Sequence, residues 1–313
     1  MAINLHHLRL FAAVVDEGGF TRAAARLNLS QPAISKSLTE LERQLHVNLL
    51  DRSGRTVRLT EAGRTLHARA RELFGVERVA EQELRELRGL KRGVLRIGAS
   101  TTIATYLLPA VLGRFHRRHP RVRIRTASAN TRAVLRMLLE SRVDLALVEG
   151  PVSDPRVEVI PWRDDELVVI APPSHPLVSE QPVQPGRLEQ ELFLVREPGS
   201  GTRTVSVRAL AKHGIHLTNT MRVGGTEAIK QAVAAGLGLA IVSRAAAADQ
   251  LALGKLAILS VERLEIRRTL TQLRMRGRIS SAVSLELERL LAESALESES
   301  GGGFSSADAS GVG

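Results

Sequence analysis

The 313-residue chain contains no cysteine, which excludes disulfides and thiolate metal sites. It has no run near the roughly 18 apolar residues a membrane span needs. Its N-terminal stretch, MAINLHHLRL, lacks the long apolar core of a secretory signal. These absences fit a cytoplasmic protein. Catalytic signatures are also missing: there is no G-x-S-x-G, no H-E-x-x-H and no P-loop. The GSG at 199–201 lacks nucleophile-elbow spacing, and the nine histidines are scattered. No acid–base constellation can be assembled, so an enzyme is not expected. No metal site and no cofactor is implied.

Basic charge is what the chain does have. Net charge is +11, from 44 Lys/Arg and 33 Asp/Glu. This favours a polyanionic partner. Only five of the basic residues are lysines, however, and an arginine-heavy composition also follows from a GC-rich genome. A dense block at Arg114, Arg117, Arg118, Arg121, Arg123 and Arg125 reads as a solvated helix end and strand face. At 43% hydrophobic and 25% charged, the composition is globular. The length suits two or three domains.

The most informative stretch is GGFTRAAARLNLSQPAISKSLTELERQLHVNLLDR, residues 18–52. A first helix is expected over 4–17, where Leu5, Leu8, Phe11, Ala12 and Val15 recur at helical spacing. Gly18 and Gly19 stop it. Thr21 suits the N-cap of a second helix near 21–27. Asn28 and Leu29 make a turn. Ser30 caps a third helix, with Pro32 in its first turn, where a missing N–H costs little. That helix shows Gln31, Pro32, Ser35, Lys36 and Thr39 on one side. Ala33, Ile34, Leu38, Leu41 and Leu45 form the other. This is a helix-turn-helix layout, whose second helix enters the DNA major groove.

LLDRSGRTVRLT (49–60) reads as a short hairpin, a wing turning at Gly54 and carrying Arg52, Arg55 and Arg58. Thr60 caps a helix of about 61–90. Leu66, Leu73, Ala80 and Leu87 are seven apart, Ala70 and Leu84 add a second seam, and Glu77 interrupts it. The pattern predicts a dimerising linker helix. Beyond Gly89–Gly93, apolar strands alternate with helices, the pattern of a parallel α/β sheet. Strands are expected at 94–100, 122–128, 144–150, 166–172, 192–198, 220–223, 238–243 and 267–275. Helices are expected at 104–118, 131–141, 202–213, 226–236 and 281–298. Two similar lobes with a crossing chain suggest a hinged binding domain.

The assigned boundaries are 1–60 for the DNA-binding domain, 61–90 for the linker and 91–295 for the effector domain. Lobe I takes about 91–162 and 264–295, lobe II about 163–263. A disordered tail is expected at 296–313.

These residues resemble the LysR-type transcriptional regulators over about 2–295. The match is strongest at FTRAAARLNLSQPAISKSLTELERQL, then LLDR, then V-R-L-T-E-A-G. The resemblance implies an all-α winged helix-turn-helix, a linker helix and an α/β effector domain like a type 2 periplasmic binding protein. It also implies homodimers or dimers of dimers, and an effector that alters DNA bending and contact with RNA polymerase. His46 departs from the family's usual glycine at a position that often wants φ > 0, a strain that histidine tolerates better than most. Leu50 replaces a common phenylalanine, apolar for apolar.

For double-stranded DNA the candidates are Thr21, Ser30, Gln31, Pro32, Ser35, Lys36, Thr39, Arg52 and Arg55. Gln31 can pair with adenine, Lys36 can reach guanine or a phosphate, and Pro32 can lie on a thymine methyl. Arg52 and Arg55 suit the minor groove or phosphates. In a two-lobe α/β domain, a ligand binds beyond the carboxyl ends of the strands. Four such ends converge: Ser100, Thr101 and Thr102; Ser128, Asn130 and Thr131; Gly201, Thr202 and Arg203; and Thr226. A Ser/Thr before a helix is usually only a cap, so the convergence is the argument.

Glu149 faces the same region and works against a purely cationic pocket, and Arg203 could supply positive charge. REPGSGTR, GASTTIATYLLP and the NT at 130–131 resemble regulators of carbon fixation and of sulfur or nitrogen assimilation, implying a small anionic effector. Three alternatives remain: an effector-independent DNA-binding protein, a solute-binding protein, and an enzyme. The last two fit poorly.

Overall fold

The computed structural model describes residues 3–51, 57–87, 93–278 and 280–300. Arg52, Gly54 and Arg55, the tip of the expected wing, lie outside the described residues. The chain folds as two compact units. One is Met1–Glu81 with Glu140–Arg142; the other is Gln82–Leu139 with Val143–Gly313.

In the first unit, α1 (Leu5–Asp16) is capped by Asn4, which accepts from the His6 and His7 amides. Next, α2 (Phe20–Leu27) starts after Gly19 without a side-chain cap, so Thr21 is not its N-cap. Its hydroxyl instead lies 3.3 Å from Gln31 Oε1. Asn28 ends α2 in the left-handed conformation. Ser30 does cap α3 (Gln31–Leu45), accepting from the Ala33 amide. His46 closes α3 at φ 55°, ψ 30°, the left-handed geometry expected of it.

Ile34, Leu38 and Leu41 are fully buried beside Leu8, Phe11 and Val14. Each such side chain contributes about 1.5–3 kcal/mol. Ala33, expected on this face, is exposed, because it sits one step round the helix from Ile34. Glu42 was not anticipated. Its buried carboxylate accepts from the Leu49 and Leu50 amides at 2.7 and 3.2 Å, tying α3 to the wing.

The wing pairs β1 (Leu50–Asp51) with β2 (Arg58–Leu59). Thr60 caps α4 (Glu61–Leu87), accepting from the Gly63 amide at 3.0 Å. The start of α4 has more to pack on than its isolation in sequence suggests. Leu66, Ala70 and Phe74 join the core of α1–α3. Further along, Leu73, Val76 and Leu84 are 41, 65 and 62% exposed. Glu77, the break in the heptad seam, pairs with Arg9 of α1.

The second unit is one sheet in the order β4 (Arg123–Ala129), β3 (Val94–Ser100), β5 (Leu145–Glu149), β11 (Ile266–Met275), β6 (Val157–Ala171), β9 (Leu239–Ser243), β7 (Phe193–Val195), β8 (Thr220–Arg222), with β10 (Ala257–Leu259) on β6. β3, β4 and β5 are mutually parallel, as are β7, β8 and β9. The sheet as a whole is mixed rather than parallel. Long β6 and β11 run antiparallel to each other and to their flanking strands. Together they join the two parallel sets, β11 bonding to β5 and β6 to β9. The charged stretch of β6, WRDDE, hid its first nine residues, 157–165, from an apolar-run reading, because antiparallel crossing strands need not be apolar on both faces.

The helices of this unit are α5 (Leu108–Arg118), preceded by a π turn at Ile103–Leu107, α6 (Thr131–Leu139), one-turn α7 (Pro176–Ser179) and α8 (Gly201–Lys212). They continue with α9 (Thr226–Ala234), α10 (Arg244–Ala252) and α11 (Ala282–Ser300). β10 (Ala257–Leu259) and α10 were not anticipated. α11 extends to Ser300, and Glu297 pairs with Arg114 at 2.6 Å, so 296–300 are not the start of an unstructured tail. Residues 301–313 lie outside the described residues. Arg118 also pairs with α11, through Glu293 and Glu286, while Arg117, Arg121, Arg123 and Arg125 are exposed. Trp162 Nε1 donates to the Leu291 carbonyl and fastens α11 to the sheet.

Candidate functional site

Gln31, Pro32, Ser35, Lys36 and Thr39 are all exposed on the outer side of α3, as are Thr21 and Ser30. Pro32, Ser35, Lys36 and Thr39 share a shallow groove with His7, Ser37 and Glu40. Nothing in the periodicity marked His7. It arrives because α1 crosses α3 near its own N-terminus. An exposed row of donors opposite a buried Ile34/Leu38/Leu41 face can contact a groove without unfolding anything.

The strand ends of the second unit form two networks. The first surrounds Glu149, which is 2% exposed at the end of β5. Its Oε1 accepts from Thr202 at 3.1 Å and Thr102 at 3.3 Å, and its backbone carbonyl accepts from Thr131 at 2.8 Å. Arg268 of β11, equally buried, lies 3.1 Å from Glu149 Oε2 and donates to Thr202 at 2.9 Å and to Asp165 of β6 at 2.8 Å. Ser243 donates to the other Asp165 oxygen at 2.6 Å. Gly201 is needed here: a Cβ would stand 1.8 Å from the Glu149 carbonyl oxygen. The carboxylate expected to oppose an anion therefore faces an arginine from the neighbouring strand of the sheet, far from it only along the chain.

The second network surrounds Arg196, whose side chain is 5% exposed. It donates to Thr226 at 2.9 Å and to Thr101 at 3.4 Å. Glu197 takes two of its N–H groups, at 2.9 and 3.0 Å, and also accepts from Asn130 at 3.2 Å. The hydrogen bonds from Arg196, then one from the Glu197 backbone amide, the Arg196 charge and lastly the Asn130 bond, hold the Glu197 carboxyl down to about 2 against a partial burial that raises it. Beside this network, Tyr106 of the π turn donates to Glu227 at 2.6 Å, and the buried Lys230 ammonium lies 3.0 Å from the same carboxylate and 4.6 Å from the Tyr106 ring. Burial, then the bond to Glu227, raises the Tyr106 phenol. The Tyr106 bond lowers Glu227 to about 2.

Of the residues expected at the crevice, Thr102, Thr131, Glu149, Gly201 and Thr202 meet in the first network. Thr101, Asn130 and Thr226 meet in the second. Ser100 is buried with its hydroxyl unbonded. Ser128 is exposed and belongs to neither network. Arg203 is half-buried and its guanidinium joins neither; only its amide is engaged, by the Ser200 cap. The cation of the second network is Arg196, which was not among the expected residues. The signal for it was a charged residue closing the apolar run LFLV.

The LysR substrate binding domain model matches residues 88–295, and the bacterial regulatory helix-turn-helix protein, lysR family model matches 5–64. The chain belongs to the LysR family of transcriptional regulators. Among LysR relatives, it is 38% identical to a RuBisCO operon transcriptional regulator of Allochromatium vinosum, over 94% of this chain and 98% of that one. It is 35% identical to another so named from Acidithiobacillus ferrooxidans, covering 93% and 94%.

A full-length OxyR point variant from Pseudomonas aeruginosa superposes with a TM-score of 0.72 at 25% identity, covering 94% of this chain and 95% of that one. The Synechocystis PCC6803 CcmR regulatory domain, solved in complex with 2-PG, superposes at 0.60 and 28% identity, covering 65% and 98%. This LysR regulator thus carries a helix-turn-helix domain and an effector-binding α/β domain. Among the described residues no helix is long and apolar enough to cross a membrane.

Proposed function

We propose that the regulator reads operator DNA with Gln31, Pro32, Ser35, Lys36 and Thr39 and senses a small anionic metabolite between the lobes of its effector domain. Thr21, Ser30, Arg52 and Arg55 complete the DNA set, as backbone or minor-groove contacts. Arg196 carries the anion reading. It is a nearly buried guanidinium at the C-terminal end of β7, with the Thr101 and Thr226 hydroxyls and the Asn130 amide around it. An arginine fork suits a carboxylate or phosphate in two-point contact. The relatives named for the RuBisCO operon, and the regulatory domain bound to 2-PG, support a metabolite of carbon assimilation.

The reading is of a sensor rather than a catalyst. Glu149 and Asp165 are both buried against Arg268 rather than open to solvent. The domain plan is 1–60, 61–90 and 91–295, in the order recognition, assembly, sensing. Leu73, Val76, Ala80 and Leu84, exposed at three- and four-residue spacing on α4, suit pairing with a second copy of the chain.

The test is a thermal-shift panel of phosphorylated, carboxylated and sulfur-containing metabolites on the full chain, followed by footprinting with any compound that stabilises it. A stabilising anion that alters the footprint is the expected result. No response from any anion would end the anion reading. A response that leaves the footprint unchanged would favour effector-independent DNA binding.

A further inference from the structure

The Arg196 guanidinium already holds an anion, supplied by the adjacent residue. Glu197 offers Oε2 to Nε and Oε1 to Nη2, the two-point arrangement an external carboxylate or phosphate would adopt. Its Oε1 also accepts from Asn130, which precedes α6. The internal carboxylate therefore occupies the donors an effector would need.

The two partners differ in freedom. Arg196 is 5% exposed and anchored on Thr226, so moving it would strip a buried cation of its acceptors. Glu197 is 30% exposed and can rotate into water with its charge intact. Exchange of one anion for another leaves no unpaired charge behind, whereas removal of Glu197 alone would.

We propose that Glu197 is a built-in competitor for the effector: an incoming anionic group replaces it on Arg196 and Asn130, and the Glu197 side chain swings into solvent. This rests on the anion-sensing reading above. Two consequences follow from the geometry. A tethered carboxylate has a high effective concentration, so a simple monocarboxylate competes poorly and a group carrying more charge, such as a phosphate, competes well. Asn130 begins α6 in one lobe and Glu197 follows β7 in the other, so the exchange also breaks a direct bond between lobes and couples occupancy to their spacing.

The experiment is calorimetric titration of the full-length protein with inorganic phosphate, 2-phosphoglycolate and acetate, comparing wild type with Glu197→Gln, Glu197→Asp and Arg196→Met. Glutamine keeps the shape and the Asn130 bond but loses the ion pair. It is expected to bind phosphate about tenfold more tightly than wild type, to acquire acetate binding, and to melt lower without ligand. Aspartate keeps the charge but falls one methylene short, and is expected to lie between glutamine and wild type. Arg196→Met should bind none of the three.

A merely structural Glu197 would lower the ligand-free melting temperature without tightening phosphate. Equal or weaker phosphate binding by Glu197→Gln, with wild type binding normally, overturns the competitor and leaves the anion reading standing. Absence of binding in wild type and in Glu197→Gln alike overturns both. If Glu197→Gln does not fold, the aspartate variant decides: affinity equal to wild type overturns the proposal.

Discussion

Gln31, Pro32, Ser35 and Lys36 stand in water on the outer face of α3, while Arg196, Arg268, Glu149 and Asp165 are almost wholly removed from it. Both sets are polar, yet they solve opposite problems. A recognition helix meets a partner as large as itself, which supplies counter-charge and excludes water only on contact. Its donors cost nothing while unbound. A small-molecule crevice has to be built before its ligand arrives, so its charges need partners in the ligand-free state. This accounts for Glu149 finding Arg268 and for Arg196 finding Glu197. The two pairs differ in turn. The Glu149–Arg268–Asp165 network is buried and joins β5, β11 and β6, whereas the Arg196–Glu197 pair is open on its glutamate side.

The contrast breaks most visibly at Arg268. Replacing it with methionine leaves Glu149 and Asp165 buried without a cation, and is expected to cost about 3–5 kcal/mol. Denaturant melts should show this loss in the effector domain, with operator binding by the helix-turn-helix retained at low denaturant. A loss below about 1 kcal/mol would mean the network is not sealed. Gln31→Ala, on the exposed face, should leave stability unchanged and cost about 1–3 kcal/mol of specific DNA binding. Gel shifts on operator and unrelated DNA check this, and equal losses on both would argue against base reading by Gln31.

His46→Gly should be smaller and of opposite sign. At φ 55° glycine is unstrained, so a gain of about 0.5–1 kcal/mol is expected, measured as a raised urea midpoint. The smallest effect is that of pH. Glu197 titrates at about 2 in the folded protein against an ordinary 4.5, so the stability it adds is complete above about pH 4.5 and fades as pH falls from there towards 2. Anion affinity between pH 6 and 8 should therefore show no inflection from Glu197.

Much of the recognition domain was legible because its signals are local. Ser30 caps a helix one residue away, His46 ends it, and Ile34, Leu38 and Leu41 repeat on one face. Thr21 was misread as a cap because Gly19 and Phe20 start α2 a residue earlier. In the effector domain, the strand ends carrying Thr101, Thr102, Asn130, Thr131, Thr202 and Thr226 were found from their positions before helices. The charged half of β6, all of α10 and the contacts of Arg196 were not. Polar residues on a crossing strand have no period that separates them from a loop.

The sequence by itself determined the helix-turn-helix, the Ser30 cap and the exposed face of α3, and the number and order of most strands of the sensing domain. These depend on contacts within a few residues along the chain, which periodicity and capping chemistry record directly. Only the tertiary structure decided which charges meet. Arg268 reaches Glu149 across 119 positions of chain, and Asn130 reaches Glu197 across 67. Such pairings follow from strand order and register in a mixed sheet, and no local pattern encodes them. The same is true of the surroundings of the two arginines: Arg196 follows a buried strand and donates to the Thr101 and Thr226 hydroxyls, whereas Arg203 lies in the first turn of α8 and its guanidinium joins neither network.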